Sequence, residues 1–108
     1  MSLSTHVLDA SIGRPAAGVA VRLERRDGAG WRELAAAATD ADGRLGDLPA
    51  ATAGDHRLVF GTGDYFAQRR IQAFHPEITV TFRITDPAEH HHVPLLLSPY
   101  SYTTYRGS

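Results

Sequence analysis

The sequence predicts an all-β fold, a sandwich of two packed sheets. Short segments rich in β-branched and aromatic residues recur between turn signals, a spacing typical of β-sandwiches. In the clearest segment, Glu77–Thr85, apolar and polar residues alternate. A period of two gives a strand one buried face and one polar face, which a helix would not show. The apolar residues of this segment are Ile78, Val80, Phe82 and Ile84.

A hairpin is predicted ahead of this strand. Val19, Val21 and Leu23 alternate with polar or small residues in the same way. Asp27-Gly28 then supplies a turn before a second strand, Trp31–Ala37. The two segments are therefore expected to pair as neighbouring antiparallel strands.

Turns and one short helix divide the middle of the chain. Asp40–Gly43 is a strong turn signal, and Gly61–Asp64 is interpreted as a loop that ends a strand beginning near His56. The segment Asp64–Ile71 lacks strand alternation, so a helix of about two turns is predicted there. Pro76 prevents that helix from continuing.

Two strands are predicted to close the chain. The first runs from about His91 to Leu97, after Asp86-Pro87. The turn Ser98-Pro99 leads into the second, Tyr100–Arg106.

Length and composition indicate one domain, residues 1–108, with a single hydrophobic core. A domain this small, without cysteine for disulfides, is a candidate for stabilisation by oligomerisation. All 11 basic residues are arginine and alanine is abundant, a bias that indicates a GC-rich bacterial genome.

Charge and hydropathy make nucleic acid and membrane unlikely partners. The formal net charge is -1, and no run of like charge could follow a phosphate backbone. Met1–Ala10 does not have the pattern of a signal peptide, and an 18-residue apolar stretch is absent. A cytoplasmic location is expected, and the lack of cysteine is compatible with a reducing compartment.

Two residues could carry chemistry or could be ordinary surface groups. His6 lies in a strand next to Val7 and Leu8, where an exposed imidazole is also tolerated. Arg44 follows the turn at Asp42-Gly43 and could be a solvated loop charge. Its guanidinium would also suit an anionic or polarised carbonyl substrate, because its planar donors match such acceptors bidentately.

The run His90-His91-His92 suggests a metal site, since imidazole is a common zinc ligand. Consecutive strand residues point to opposite faces, so at most His90 and His92 could converge. Carboxylates stand at other spacings and cysteine is missing, so no metal site is expected. The apolar segment Val93–Leu97 places His92 at the edge of a buried region, where imidazole protonation is easily perturbed.

Several dispersed motifs resemble one known family. Leu3–Asp9 and His92–Ser108 closely resemble the ends of 5-hydroxyisourate hydrolases, which are transthyretin-like proteins. Gly13–Ala16, Thr39–Arg44 and Phe74–Glu77 stand between them in the family's order and spacing. The terminal Tyr-Arg-Gly-Ser distinguishes these enzymes from the hormone-carrying transthyretins, which share the Ser-Pro-Tyr-Ser-Tyr portion.

The resemblance implies a transthyretin-like (prealbumin-like) sandwich of seven to eight strands with one short helix. It also implies a homotetramer whose central channel holds the substrate sites. The implied activity is hydrolysis of 5-hydroxyisourate to 2-oxo-4-hydroxy-4-carboxy-5-ureidoimidazoline in urate degradation, without a cofactor.

Matching motif positions imply which residues form each site. His6, Arg44, His92 and Ser108 are the implied catalytic residues, and Tyr105 joins His6 and Arg44 in binding substrate. Either histidine could take a proton from water, and Arg44 would stabilise the oxyanion. Ser108 could act through its hydroxyl or through its terminal carboxylate. One departure is His91, where the family usually has tyrosine, but this residue should face away from His92.

Two alternatives to an enzyme remain at this point. The first is a non-catalytic, transthyretin-like carrier of small aromatic ligands, which would use the same channel. The second is a plain β-sandwich interaction module. The joint presence of His6, Arg44 and the terminal Tyr-Arg-Gly-Ser favours the enzyme, because an apolar hormone channel does not need this polar set.

Overall fold

A computed structural model describes residues 3–50 and 52–108, and it is a sandwich of two sheets with one short helix. Met1 and Ser2 lie outside the described residues. They belong to the segment Met1–Ala10, for which the sequence does not predict a signal peptide. In the described part of the chain, the helix is too short to cross a membrane.

The first sheet is built around the N-terminal strand. Its strands are β1 (Leu3–Asp9), β2 (Arg14–Pro15), β5 (Arg44–Leu48), β8 (His91–Leu97) and β9 (Tyr102–Thr104). The strand order is β2-β1-β8-β9, and β5 also pairs with β1. Strand β1 is antiparallel to β2 and β5 but parallel to β8.

The second sheet has the order β4-β3-β6-β7, with every pair antiparallel. The predicted hairpin is confirmed, because β3 and β4 pair across the turn at Asp27-Gly28. The alternating strand predicted at Glu77–Thr85 is confirmed as β7. The strands of this sheet are β3 (Ala20–Asp27), β4 (Gly30–Ala38), β6 (Gly54–Phe60) and β7 (Ile78–Ile84).

The core lies between the sheets. In β1, buried residues alternate strictly with half-buried ones, as expected for a strand with one face in the core. Burial of this apolar surface is the main favourable term in folding. Fully buried side chains from both sheets include Leu3, Val7, Leu23, Leu58, Phe60, Ile84, Leu95 and Leu97.

The helix α1 (Thr62–Gln68) begins earlier than predicted. The interpretation of Gly61–Asp64 as a loop was wrong, because Thr62, Gly63 and Asp64 are already helical. Packing explains the difference: the Gly63 amide donates to the Pro76 carbonyl at 3.0 Å, and a Cβ on Gly63 would lie 2.4 Å from that oxygen. Glycine at this position therefore permits a close contact within the helix, although in the sequence it resembles a turn signal.

The helix is tied to the first sheet through the end of β1. The buried Tyr65 hydroxyl donates to the Asp9 carboxylate at 2.9 Å, and Asp9 also accepts hydrogen bonds from Ser11. Burial and the Asp9 carboxylate raise the pKa of Tyr65 to about 12. The tyrosine therefore remains a neutral donor, and it helps to fix the strand that carries His6.

Two strand predictions differ from the structure in detail. The last strand is shorter than the predicted Tyr100–Arg106, because only Tyr102–Thr104 pairs with β8. The described residues contain nine strands rather than seven to eight, since the two-residue β2 counts as one.

Candidate active site

Three strands of the first sheet bring His6, Arg44 and His92 to one face. His6 stands opposite Arg44 in the β1/β5 ladder, and Ser4 stands beside His92 in the parallel β1/β8 ladder. Ser4 and His6 share a face because they are two residues apart. The alternate residues of β1 are buried, so this face points away from the core.

The turn before β5 positions Arg44. The Asp40 carboxylate accepts hydrogen bonds from the amides of Asp42 and Arg44, both at 2.9 Å. Gly43 has a φ of 74°, and a Cβ there would lie 2.3 Å from the Val7 carbonyl oxygen. Only glycine fits this close, left-handed position, so the turn packs on β1 and presents Arg44 beside His6.

His6 has one of its ring nitrogens already engaged. Its Nε2 lies 2.9 Å from the Asp42 carbonyl oxygen. A carbonyl can only accept, so Nε2 carries the proton and donates it. In neutral His6 the lone pair is therefore on Nδ1, and that nitrogen is the one able to accept a proton.

His92 is partly buried in a positively charged environment. Burial lowers the pKa of His92, and Arg44, His6 and His90 lower it further. Its Nδ1 lies 2.7 Å from the Ser4 hydroxyl. An imidazole with a lowered pKa stays neutral over a wider pH range and keeps a lone pair for a proton.

The neighbouring His91 faces the other way. Its side chain is buried, and its Nδ1 donates to the Glu89 carbonyl at 3.0 Å. The predicted opposition of His91 and His92 is therefore confirmed. Among the described residues there is no group of three His, Cys, Asp or Glu side chains placed to hold a metal ion.

The C-terminal residues lie against His92. Gly107 and His92 form an antiparallel bridge, in which the Gly107 amide donates to the His92 carbonyl at 2.8 Å. A Cβ on Gly107 would lie 2.5 Å from Cδ2 of the His92 ring. This close approach, which the sequence did not reveal, explains why a glycine precedes Ser108. Ser108 itself is exposed.

Tyr105 lies at a cavity beside the cluster. The cavity, of about 320 Å³, opens between β7 and the C-terminal residues, and its lining includes His91, His92, Tyr105 and Arg106. His6 and Arg44 are not part of the lining. In a single chain His6 and Arg44 therefore lie on an open face beside the cavity, and His92 is the member of the cluster that also lines it.

Within the part of the chain that the structure describes, no carboxylate forms an ion pair with the cluster of His6, Arg44 and His92. A fixed guanidinium without an acidic partner remains available for an anion or a developing oxyanion. Ser4 is a further member that sequence reasoning missed, because a serine in a strand carries no signal of its partners.

Comparisons with known proteins identify the family. The sequence model of the HIUase/Transthyretin family matches residues 3–107. A 5-hydroxyisourate hydrolase of Salmonella typhimurium is 50% identical over 109 residues, which cover 98% of this chain and 80% of that protein.

Two solved structures share the fold. A Klebsiella pneumoniae 5-hydroxyisourate hydrolase is 38% identical with a TM-score of 0.88, covering 99% of this chain and 93% of its own. Sea bream transthyretin in complex with thyroxine is 34% identical with a TM-score of 0.91, covering 97% and 93%. Because the backbone fits both about equally well, the fold cannot separate their functions. The chain belongs to the HIUase/Transthyretin family.

Proposed function

We propose that this protein hydrolyses 5-hydroxyisourate to 2-oxo-4-hydroxy-4-carboxy-5-ureidoimidazoline, a ring-opening step of urate degradation. The observation that carries the proposal is the cluster of His6, Arg44 and His92 on one sheet face, where no carboxylate of the described residues forms an ion pair with them. The curated relatives that bear this activity in their names support the same conclusion.

Hydrolysis of a cyclic acyl bond needs an activated water and a partner for the oxyanion. His92 is the better candidate for the base, since its lowered pKa keeps the ring neutral. Arg44 stabilises the oxyanion as it forms, because no ion pair with a carboxylate of the described residues occupies its N–H donors. His6 orients the substrate or the water through Nδ1, the nitrogen that its bond to Asp42 leaves as an acceptor.

Two residues of the C-terminal tetrapeptide complete the proposed site. Tyr105 contributes to substrate binding beside His92, at the edge of the cavity. Ser108 directly follows Gly107, which packs on His92, so the Ser108 hydroxyl is close in the chain to the proposed base. We assign Ser108 to hydrogen bonding with the substrate or the water.

The direct test is turnover. Purified protein is added to freshly generated 5-hydroxyisourate, and the decay of its absorbance is compared with the spontaneous decay. Accelerated decay that depends on protein concentration is expected. A decay that the protein does not change, together with tight binding of small aromatic ligands, would instead support a transthyretin-like carrier.

We further propose that the active form is a homotetramer. The cluster lies on an open face of one chain, and water-free sites strengthen electrostatic stabilisation of an oxyanion. A second copy packed over this face would enclose the site, as expected for an interface that buries catalytic groups. Light scattering should give a tetramer, and a stable, fully active monomer would contradict the proposal.

A cytoplasmic location in a bacterial cell completes the proposal. The bacterial origin is supported by the alanine-rich composition, in which all 11 basic residues are arginine. Fractionation of the source cells tests the location, which is wrong if the activity is recovered outside the cytoplasm.

A further inference from the structure

One hydroxyl lies between two imidazole rings at the edge of the proposed site. The Ser4 Oγ is 2.7 Å from Nδ1 of His92 and 3.1 Å from Nε2 of His90. The two rings stack with centroids 6.5 Å apart and an interplanar angle of 17°. His92 is half-buried whereas His90 is exposed, so the three groups form a continuous line from the site to solvent.

This line can be hydrogen-bonded in two directions. A serine hydroxyl donates one hydrogen bond and accepts others, and each neutral imidazole carries one N–H. In the first arrangement, Nδ1–H of His92 donates to Ser4, whose hydroxyl donates to Nε2 of His90. In the second arrangement both bonds are reversed. The first leaves the lone pair of His92 on Nε2, where a base needs it.

The proposed reaction produces a proton that must leave. Water adds to the acyl carbon as the ring C–N bond breaks, and one hydrogen of the water ends on the departing nitrogen. That nitrogen becomes part of a ureido group, which is not basic near neutral pH. The new carboxylic acid ionises, so each turnover releases the other hydrogen of the water as a proton.

The remaining neighbours of His92 are poor exits for this proton. Arg44 stays protonated and cannot accept a proton. The Nε2 of His6 donates to a backbone carbonyl, and its Nδ1 is assigned to the substrate side. Arg44 and His6 also repel a positive charge on His92, which favours its rapid removal.

We propose, on the basis of the proposed hydrolytic function, that Ser4 and His90 form a proton relay from His92 to solvent. After Nε2 of His92 takes a proton, the Nδ1 proton passes to the Ser4 oxygen while the Ser4 proton passes to Nε2 of His90. The protonated His90 then releases its Nδ1 proton to water or buffer, which leaves the line in the second arrangement. When Nε2 of His92 donates its proton to the departing nitrogen, both hydrogen bonds shift back and His90 takes up one proton from solvent, so the first arrangement is restored. Ionisation of the new carboxylic acid leaves one proton released per turnover. Ser4 and His90 are thus positioning and relay groups, and neither touches the substrate.

Turnover of four variants at low buffer concentration tests the relay. Ser4→Ala and His90→Gln should each lower kcat about tenfold with little change in KM, a smaller loss than removal of the group that itself takes the proton from water. The double variant should lose little more than either single variant, because the two groups act in series. Ser4→Thr keeps the hydroxyl and should recover most of the turnover lost in Ser4→Ala.

Added imidazole separates a relay from a merely structural role. It should restore turnover in His90→Gln, where the missing acceptor stood in solvent, but not in Ser4→Ala, where the break is inside the protein. Ser101→Ala is the matched control, because Ser101 is exposed and its hydrogen bond to Ser98 uses its backbone carbonyl. Wild-type kcat in His90→Gln at low buffer concentration would overturn the proposal.

A second readout does not depend on the hydrolase activity. Nitrogen NMR of the histidine rings reports which nitrogen carries the proton, and Ser4→Ala should change the tautomer balance of His92. Unchanged ring-nitrogen shifts of His92 in Ser4→Ala would overturn the relay. An inactive wild-type protein would instead contradict the proposed function, so the two failures are distinguishable.

Discussion

The outer faces of the two sheets both carry arginine side chains, but the partners of these side chains differ. On the β3/β4/β6 face, Arg22 and Arg57 both bind the Glu24 carboxylate, at 2.7 and 2.5 Å. The Arg57 guanidinium also stacks 4.3 Å from the centre of the Trp31 ring. On the β1/β5/β8 face, Arg44 forms no ion pair within the described residues.

The difference teaches how to separate a structural cation from a functional one. A guanidinium whose donors are matched by a carboxylate contributes to stability and has little affinity left for a ligand. Arg44 lies beside two imidazoles instead, and together these groups favour a negative charge that no ion pair within the described residues supplies. The outer face of the first sheet (β1, β5 and β8) therefore contains the candidate site. The outer face of the second sheet (β3, β4 and β6) contains a stabilising network.

The largest expected effect comes from removing the C-terminal residues, which lie against His92 on the outer face of the first sheet. Deletion of Tyr105–Ser108 should abolish hydrolysis while the fold and most thermal stability remain, because these residues are largely exposed. A C-terminal affinity tag should likewise lower activity far more than an N-terminal tag. Turnover is measured with light scattering as the folding control, and full activity in the truncated protein would exclude this segment from the site.

The next largest effect is the loss of turnover expected when an arginine on one sheet face is replaced and the corresponding loss on the other face is compared with it. Arg44→Ala should lower kcat about a hundredfold, since an oxyanion partner is lost, and His6→Ala and His92→Ala should cause similar losses. Arg22→Ala is the matched control and should keep wild-type turnover. His91→Ala should also be much less damaging than His92→Ala, since His91 faces the core. Equal losses in Arg22→Ala and Arg44→Ala would remove the distinction between the faces.

A smaller effect is expected in the dependence of activity on pH. The base must be neutral, so activity should fall as acid protonates His92. The midpoint should lie below 6.5, because burial and the nearby cations lower the pKa of this residue. Arg44→Gln should raise the midpoint of the residual activity, and Arg22→Gln should leave it in place. A rate that stays constant from about pH 8 down to the onset of acid unfolding would argue against a histidine base.

The smallest effect is a change in the free energy of unfolding when the ion pairs on the outer face of the second sheet are broken. Hydrogen bonds from Arg22 and Arg57 lower the pKa of Glu24 against the opposing effect of burial. A carboxyl group with a lowered folded-state pKa stabilises the protein above its unfolded value of 4.5, and this contribution is lost as pH falls through the folded value. Glu24→Gln should therefore cost about 1–3 kcal/mol at neutral pH and much less in acid.

Glu33 supplies the control for that measurement. Its side chain is 58% exposed and lies 3.9 Å from Arg22, so Glu33→Gln should change stability by only about 0–1 kcal/mol. Thermal unfolding of both variants, at neutral pH and in acid, measures the loss of stability caused by each substitution. An equal cost for the two glutamates would show that the Glu24 network does not stabilise the fold.

Local patterns in the sequence were sufficient for the strands and for the family. The alternation in β7 and the turn of the β3/β4 hairpin depend on neighbouring residues, so they could be read without a structure. The opposite directions of His91 and His92 also follow from strand geometry alone. Each motif that carries the family resemblance is a continuous stretch of the sequence, so the motifs could be recognised without knowing any distance in the structure.

Contacts between distant parts of the chain were decided only by the tertiary structure. His6 and His56 both lie in strands, yet His56 is fully buried near Phe82 and His6 lies on the candidate site. The difference depends on which face each strand turns to the other sheet, and no local pattern encodes that choice. The Ser4 bonds to two histidines likewise join the two ends of the chain, and the packing of Gly107 on His92 folds the C-terminal segment back on β8. Their energies depend on positions set by the whole sandwich, which explains why the sequence determined the family and only the folded chain determined the geometry of its site.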